Sequence, residues 1–138
     1  MEDLHAALDE SRIRAELECV IHSSEFAGSE RHRRFLTYIV EETLAGRGDR
    51  LKAYNIATSA FGRGPNFDPQ LDSIVRIEAG RLRRALDQYY LTEGRENDIR
   101  IIVPKGGYVP LFRRARDEQV TGAGDRPPVP VQRRRGPR

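Results

Sequence analysis

The stretch IVRIEAGRLRRALDQYY, residues 74–90, decides the fold of this chain because it reads as one long helix with two contrasting faces. At about 100° per residue, its apolar side chains gather on one face, which is predicted to be buried: Val75, Ala79, Leu82, Leu86 and Tyr89. The opposite face carries Ser73, Arg76, Ile77, Gly80, Arg83 and Arg84, and Arg81 lies at its border. The first face predicts a core, and the second needs a separate explanation.

This second face breaks three local rules of helix stability. Arginines stacked on one face repel each other by roughly a few tenths of a kcal/mol per close pair. Gly80 in a helix interior costs about 1 kcal/mol relative to alanine, and Ile77 is apolar where solvent is expected. A DNA major groove explains all three, because arginine binds guanine edges or phosphates, an apolar side chain contacts a thymine methyl group, and the missing side chain at Gly80 allows close approach. The alternative is a solvated face whose arginines pair with acids such as Glu78 and Asp87.

A β-hairpin is predicted after the helix, once the segment LTEGREND has ended it. Ile99–Val103 and Tyr108–Phe112 are short β-branched or aromatic runs, and Pro104–Gly107 between them has the composition of a turn. A polar-faced helix followed by a hairpin with a basic tip, here Lys105, is the winged-helix arrangement. The hairpin therefore favours the DNA-binding interpretation of the helix.

Helical segments are also predicted before this helix, at residues 2–22, 29–46 and 49–62. Ser29 is expected to cap the second segment, while Gly46 and Gly62 are expected to end the second and third. Residues 63–70, RGPNFDPQ, have the composition of a loop, and Asp72 is placed to cap the long helix. The predicted order is therefore helices, then the polar-faced helix, then a hairpin.

Length and composition predict one soluble, cytoplasmic domain. The chain has 138 residues, of which 38% are hydrophobic and 33% charged, enough for a core and a charged surface. No apolar run approaches the ~18 residues that span a bilayer, and the acidic N-terminus does not resemble a signal or transit peptide. Residues 113–138 carry eight arginines and three acids, net +5, whereas residues 1–112 carry 16 basic and 18 acidic residues, net −2. A polyanion site in the folded part must therefore come from local clustering of charge.

The helix and hairpin together, IVRIEAGRLRRALDQYY…IRIIVPKGGYVPLF, resemble the C-terminal part of the OmpR/PhoB-type winged helix-turn-helix domain. Arg81–Leu86 matches the RLR-x-x-L core of that family's helix, and Gly107-Tyr108 matches the pair that closes its wing. The resemblance covers residues 29–113, and FLTYIVEETLAGRGDRLKAYNIATSAFG would supply the first two helices. Its DNA-reading positions correspond to Arg76, Glu78, Gly80, Arg81 and Arg83. Of the arginines on the helical wheel's reading face, Arg76 and Arg83 are shared by both sets.

A second resemblance covers residues 35–112. This segment is similar to an N-terminal domain found in many bacterial proteins ahead of repeat or signalling regions, with the pattern RFL-x-Y-x-VE…LK-x-Y-x-IA…FGR…FDP…D-x-IVR-x-EA-x-RLR…YY…PKG-x-Y-x-P-x-F. The match is closer than the first one, but it implies less, because the function of that domain is poorly defined.

These observations predict a mainly α fold with a small β-hairpin, a winged helix-turn-helix with an additional N-terminal helical segment. Residues 1–28 would pack on the domain or dimerise, 29–113 would form the winged helix, and 114–138 would be a disordered basic tail. The predicted DNA-contacting residues are Ser73, Arg76, Ile77, Gly80, Arg81, Arg83, Arg84 and Lys105. Helix 72–92 would enter the major groove, and the wing 99–112 would lie on the backbone or in the minor groove.

The predicted function is sequence-specific binding of double-stranded DNA as a nucleoid-associated transcriptional regulator. The expected partners are duplex DNA and a second copy of the chain, with RNA polymerase as a further candidate and no membrane. The competing interpretation is a protein-interaction module that uses the winged-helix scaffold to dock an acidic partner. The tail segment QRRRGPR would be either a non-specific DNA-binding arm or an end without a specific role.

No enzyme, metal or cofactor is expected. His5, His22 and His32 do not form a set with metal-ligand spacing, and no Ser-His-Asp or Cys-His arrangement is visible. Arg31, Arg33 and Arg34 open the helix at 29–46, against the helix dipole. Phosphate contact and pairing with Glu30, Glu25 or another element explain them equally well.

Overall fold

The structure, a computed structural model, describes residues 9–115. The elements of this part of the chain are α1 (Glu10–Ile21), α2 (Glu30–Leu44), a 3-10 turn (Gly48–Arg50), α3 (Ala53–Ala60), α4 (Ile74–Leu91), β1 (Ile99–Ile102) and β2 (Leu111–Arg114). The two strands pair in antiparallel order. Within these residues the fold is mainly helical with one small two-stranded sheet, which confirms the predicted fold class at this level. Residues 2–8 of the predicted helical segment 2–22 and the tail from residue 116 onwards lie outside the described residues.

The predicted cap of α2 and the glycines predicted to end α2 and α3 are confirmed, whereas α3 begins at Ala53, four residues after the start of the predicted segment 49–62. The Ser29 side chain accepts a hydrogen bond from the His32 amide at 3.1 Å and caps α2. Asp72 accepts one from the Ile74 amide at 3.0 Å at the start of α4. Gly46 and Gly62 follow α2 and α3 with φ of 84° and 72°, a conformation that glycine adopts without strain.

The hairpin is confirmed, but its predicted bounds are wrong. Pairing runs from Ile99↔Arg114 to Ile102↔Leu111, so the connection is residues 103–110 rather than the four residues 104–107. Pro104 and Pro110 lie near the two ends of this loop, and proline has no N–H to donate to the hydrogen bonds between strands. The second strand therefore begins directly after Pro110, three residues later than expected.

One hydrophobic core unites the described elements. Completely covered side chains include Val20 of α1, Phe35 and Ile39 of α2, Ile56 of α3 and Leu82 of α4. The whole predicted apolar face of α4 is buried. The apolar side chains of α1 contribute to the same core, so helix Glu10–Ile21 packs on its own domain. Pairing of the N-terminal segment with a second copy stays a prediction.

A buried polar network joins α1, α4 and β1. The Tyr90 hydroxyl donates to Glu16 at 2.8 Å and accepts from the Ile101 amide at 2.9 Å. The Asn97 amide nitrogen donates to both oxygens of Glu16 at 3.1 Å and to the Tyr89 hydroxyl at 3.0 Å. Burial raises the pKa of the Glu16 carboxyl and of the Tyr90 hydroxyl above their ordinary values. The network fixes the end of α4 that lies next to the sheet.

Candidate nucleic-acid interface

The N-terminal half of α4 exposes most of the face that was predicted to contact DNA. Arg76 and Arg84 are exposed, and neither side chain has a hydrogen bond or ion pair with any residue between 9 and 115. Ile77 lies beside them with 49% of its surface exposed. Two free guanidinium groups and an apolar side chain therefore share one surface.

Gly80 lies in the middle of this surface and is half-buried. A Cβ atom added there would meet only the Arg84 Nη1 atom within 4 Å, at 3.8 Å, which is an ordinary van der Waals distance. The residue is also in regular helix, where alanine is more stable by about 1 kcal/mol. Nothing in the described part of the fold requires a glycine at this position.

Arg81 lies at the border of the surface and is paired with an acid. Its Nη1 atom donates to Glu78 at 3.1 Å, while 58% of its side chain remains exposed. Glu78 is buried and also binds His32 at 2.9 Å and Arg31 at 3.4 Å. Glu78 thus ties α4 to α2 and holds Arg81 at the edge of the exposed face.

Arg83 does not point towards solvent as the helical wheel predicted. Its guanidinium is half-buried and donates to three backbone carbonyls of the loop between β1 and β2: Val103 at 3.1 Å, Pro104 at 3.0 Å and Gly107 at 3.0 Å. The helical wheel gave its angle correctly, but the loop covers that side of α4. In this structure Arg83 is a structural donor, and the function proposed below does not use it as a base contact.

The two remaining predicted residues lie at either end of the surface. Lys105 is exposed in the loop that Arg83 holds, between the carbonyls of Pro104 and Gly107. Ser73 is half-buried at the N-cap position of α4, but its hydroxyl makes no capping bond. Lys105 adds a positive charge beside α4, and Ser73 marks where the helix begins.

The arginines at the start of α2 are paired within the chain. Arg33 and Arg34 lie 2.7 Å and 3.7 Å from Glu30. Arg31 binds Glu78 and also lies over the Phe61 ring, 5.4 Å from its centroid. Of the two interpretations of this cluster, pairing is the one that the structure shows.

Together these residues form a cationic surface, which we call the α4 face and define as Arg76, Ile77, Gly80, Arg81 and Arg84, with Lys105 beside it. Its charged groups are guanidinium and ammonium donors, which bind phosphate oxygens and base edges. Residues 9–115 contain no group of three His, Cys, Asp or Glu side chains able to hold a metal ion.

Two features of this region could not be found from the sequence. Glu78 and His32 are 46 positions apart, and Arg83 lies 20 to 24 positions from the carbonyls it binds. The only local signal for Glu78 is its angle on the helical wheel, on the flank of the core.

None of the helices between residues 9 and 115 is both long enough and apolar enough to cross a membrane. Comparison with protein-family models, with curated proteins and with solved structures finds no match to this chain.

Proposed function

We propose that this chain is a winged helix-turn-helix protein that binds specific sequences of double-stranded DNA and regulates transcription. In this proposal α2 and α3 support α4, which enters the major groove, and the hairpin with its loop 103–110 is the wing. The order of elements supports this assignment, because a polar-faced helix is followed directly by a two-stranded hairpin with a basic loop.

The observation that carries the proposal is the composition of the α4 face around Gly80. The glycine has space for a side chain, costs helix stability, and lies between Arg76 and Arg84, which have no partner in residues 9–115. This combination of residues does not stabilise the fold. It would favour binding to a DNA duplex, because the missing side chain lets the helix lie deeper in the groove while both arginines reach bases or phosphates.

Each residue of the surface has a role in this proposal. Arg76 and Arg84 contact guanine edges or phosphates, and Ile77 contacts a thymine methyl group. Arg81, held by Glu78, and Lys105 contact the phosphate backbone. A second copy of the chain on a neighbouring half-site would raise the affinity further, and RNA polymerase is the further partner of a regulator.

The test begins with selection of bound duplexes from a random-sequence pool, followed by titration of the selected duplex with single variants. Arg76→Ala and Arg84→Ala are each expected to lower the affinity by about 1–3 kcal/mol, or about 5- to 150-fold, if each reads a base. Arg95→Ala is the matched control, because Arg95 is an exposed arginine beyond the far end of α4. Its loss should leave the affinity within about 2-fold of wild type, since one distant exposed charge is largely screened by salt.

Two outcomes would contradict the proposal in different ways. If both α4 variants bind the selected duplex like wild type, the α4 face is not the reading surface. If no sequence is enriched and duplex affinity is negligible, the protein-interaction module is the better account, with an acidic protein surface as the partner of the α4 face.

A further inference from the structure

We infer that Arg83 is a positioning residue that fixes the loop 103–110 to α4, so that Lys105 meets the DNA backbone in a set position relative to the reading residues. This inference rests on the proposed function, since it assigns Arg83 a task within the same DNA-binding surface. It replaces direct base contact, the role expected for Arg83 from its angle on the helical wheel.

The Arg83 guanidinium binds the loop through two of its nitrogen atoms. Its Nε atom donates to the Val103 carbonyl at 3.1 Å, and its Nη2 atom donates to the carbonyls of Pro104 and Gly107 at 3.0 Å each. Arginine holds its donors in a planar fork, so three bonds fix both the position and the orientation of the loop. Two of the acceptors lie on either side of Lys105 in the chain, so the backbone that carries Lys105 is held against α4.

The loop 103–110 lies outside the strand pairing of the sheet. The ladder between the strands ends at Ile102↔Leu111, so residues 103–110 lie beyond it. Pro104 has no N–H to donate to a hydrogen bond. Gly106 has a φ of 85°, which glycine adopts readily, and it has no side chain that could pack and hold the turn in place. A long glycine-containing loop is normally mobile, and here a helix side chain supplies an anchor.

Tyr90 joins Arg83 in binding the backbone of the hairpin to α4. The two residues are seven positions apart on α4 and therefore point to the same side. Tyr90 accepts from the Ile101 amide at 2.9 Å, and Arg83 donates to the Val103 carbonyl. Backbone groups of residues two positions apart point to the same edge of a strand, so α4 provides the partners that a third strand would provide. The loop and the reading helix thus form one unit.

Base contact by Arg83 would require it to leave these acceptors. Three carbonyls would lose a charged donor, and the loop carrying Lys105 would be released at the moment of binding. The two roles therefore make opposite predictions about the phosphate contact of Lys105. That contact depends on Arg83 if Arg83 positions the loop, and it is independent of Arg83 if Arg83 reads a base.

The experiment is a double-mutant cycle on the selected duplex, with salt dependence as the readout. In the wild-type background, Lys105→Ala should lower the slope of log affinity against log salt by about 0.9, the value for one phosphate contact. In the Arg83→Ala background, Lys105→Ala should lower this slope by less than half as much as it does in the wild-type background. Arg76→Ala should have the same effect in both backgrounds, because the Arg76 side chain has no hydrogen bond or ion pair with residues 103–110.

A second variant separates positioning from charge and from folding. Arg83→Lys keeps the positive charge, but one ammonium group cannot replace the planar fork on three carbonyls. It should therefore also weaken the dependence on Lys105. In both Arg83 variants, the NMR order parameters of the backbone amides of residues 105–109 should fall, while those in the middle of α4 should stay unchanged. Urea unfolding of each variant gives the folded fraction used to correct the affinities.

The outcomes distinguish this inference from the proposed function. If duplex binding persists and the effects of Arg83→Ala and Lys105→Ala are additive, Arg83 does not position the loop. A loss confined to one base pair of the selected duplex would instead make Arg83 a base reader. If the wild-type chain binds no duplex, the proposed function itself fails, whatever the order parameters of the loop show.

Discussion

At the scale of single residues, Gly80 and Gly94 lie in opposite surroundings. Comparing them distinguishes a glycine that the fold requires from one that the proposed DNA contact would explain. Gly80 lies in the middle of α4, and a Cβ there would approach only the flexible end of Arg84. Gly94 is buried, and a Cβ there would lie 2.3 Å from a ring carbon of Tyr89. The fold therefore requires Gly94 and has no use for Gly80.

Gly80→Ala should stabilise the protein by about 1 kcal/mol, because alanine restricts the unfolded chain and fits the helix without a clash. The same variant should bind the selected duplex at least several-fold more weakly than wild type. Urea unfolding and duplex titration of one preparation measure both effects. A variant that is more stable and binds equally well would remove the reason given for the glycine.

Gly94→Ala is the matched control for the stability measurement. Its Cβ would overlap the buried Tyr89 ring, and overpacking of this kind costs about 1–3 kcal/mol. Both variants replace glycine by alanine, so changes of opposite sign in the free energy of unfolding would show that the local surroundings decide the effect.

At the scale of elements, the Glu16 network is the polar link between α1, α4 and β1. Glu16 accepts from Tyr90 and Asn97, and its charge is also favoured by Arg100, but burial outweighs these contacts and raises the pKa of the carboxyl. Because the folded pKa lies above the unfolded value of 4.5, the folded state binds more protons in the interval between them. The stability that Glu16 contributes is thus fully present below pH 4.5 and is lost as the pH rises through the folded pKa.

Glu16→Gln isolates this effect, because glutamine does not titrate. The free energy of unfolding of wild type minus that of the variant should fall as the pH rises from about 4 to about 7. Urea unfolding at intervals across this range measures the difference, in which the titration of other carboxyl groups cancels. A difference that stays constant or grows with pH would mean that the Glu16 pKa is not raised.

The elements also show how far the sequence predicts this structure. Helix ends follow from residues within one turn, so Ser29, Gly46 and Asp72 act as expected. The exposed and buried sides of α4 follow from its periodicity. The helical wheel gives the direction of Arg83 but not what lies there, because the loop that covers it comes about 20 residues later in the chain. The predicted bounds of the hairpin strands were wrong for a related reason, since turn composition indicates a turn without fixing its length.

At the scale of the whole molecule, the arrangement of charge matters more than its sum. Residues 1–112 have a net charge of −2, yet many of their arginines are neutralised by acids, as in the pairs of Arg33 with Glu30 and of Arg47 with Glu42. Arg76 and Arg84, which have no hydrogen-bond or ion-pair partner among residues 9–115, lie exposed on the α4 face. A weakly acidic domain can therefore present a cationic surface where a polyanion is proposed to bind.

The affinity for a random-sequence duplex at ~50 mM and ~200 mM salt tests the central claim most directly. Phosphate contacts by Arg76, Arg81, Arg84 and Lys105 would give a slope of about −3.6 and a loss of affinity of about 100-fold over this range, and the basic segment 116–138 would increase it. A loss of this size is the result we expect. Negligible duplex affinity at the lower salt concentration, or an affinity that salt does not change, would contradict DNA binding by the α4 face.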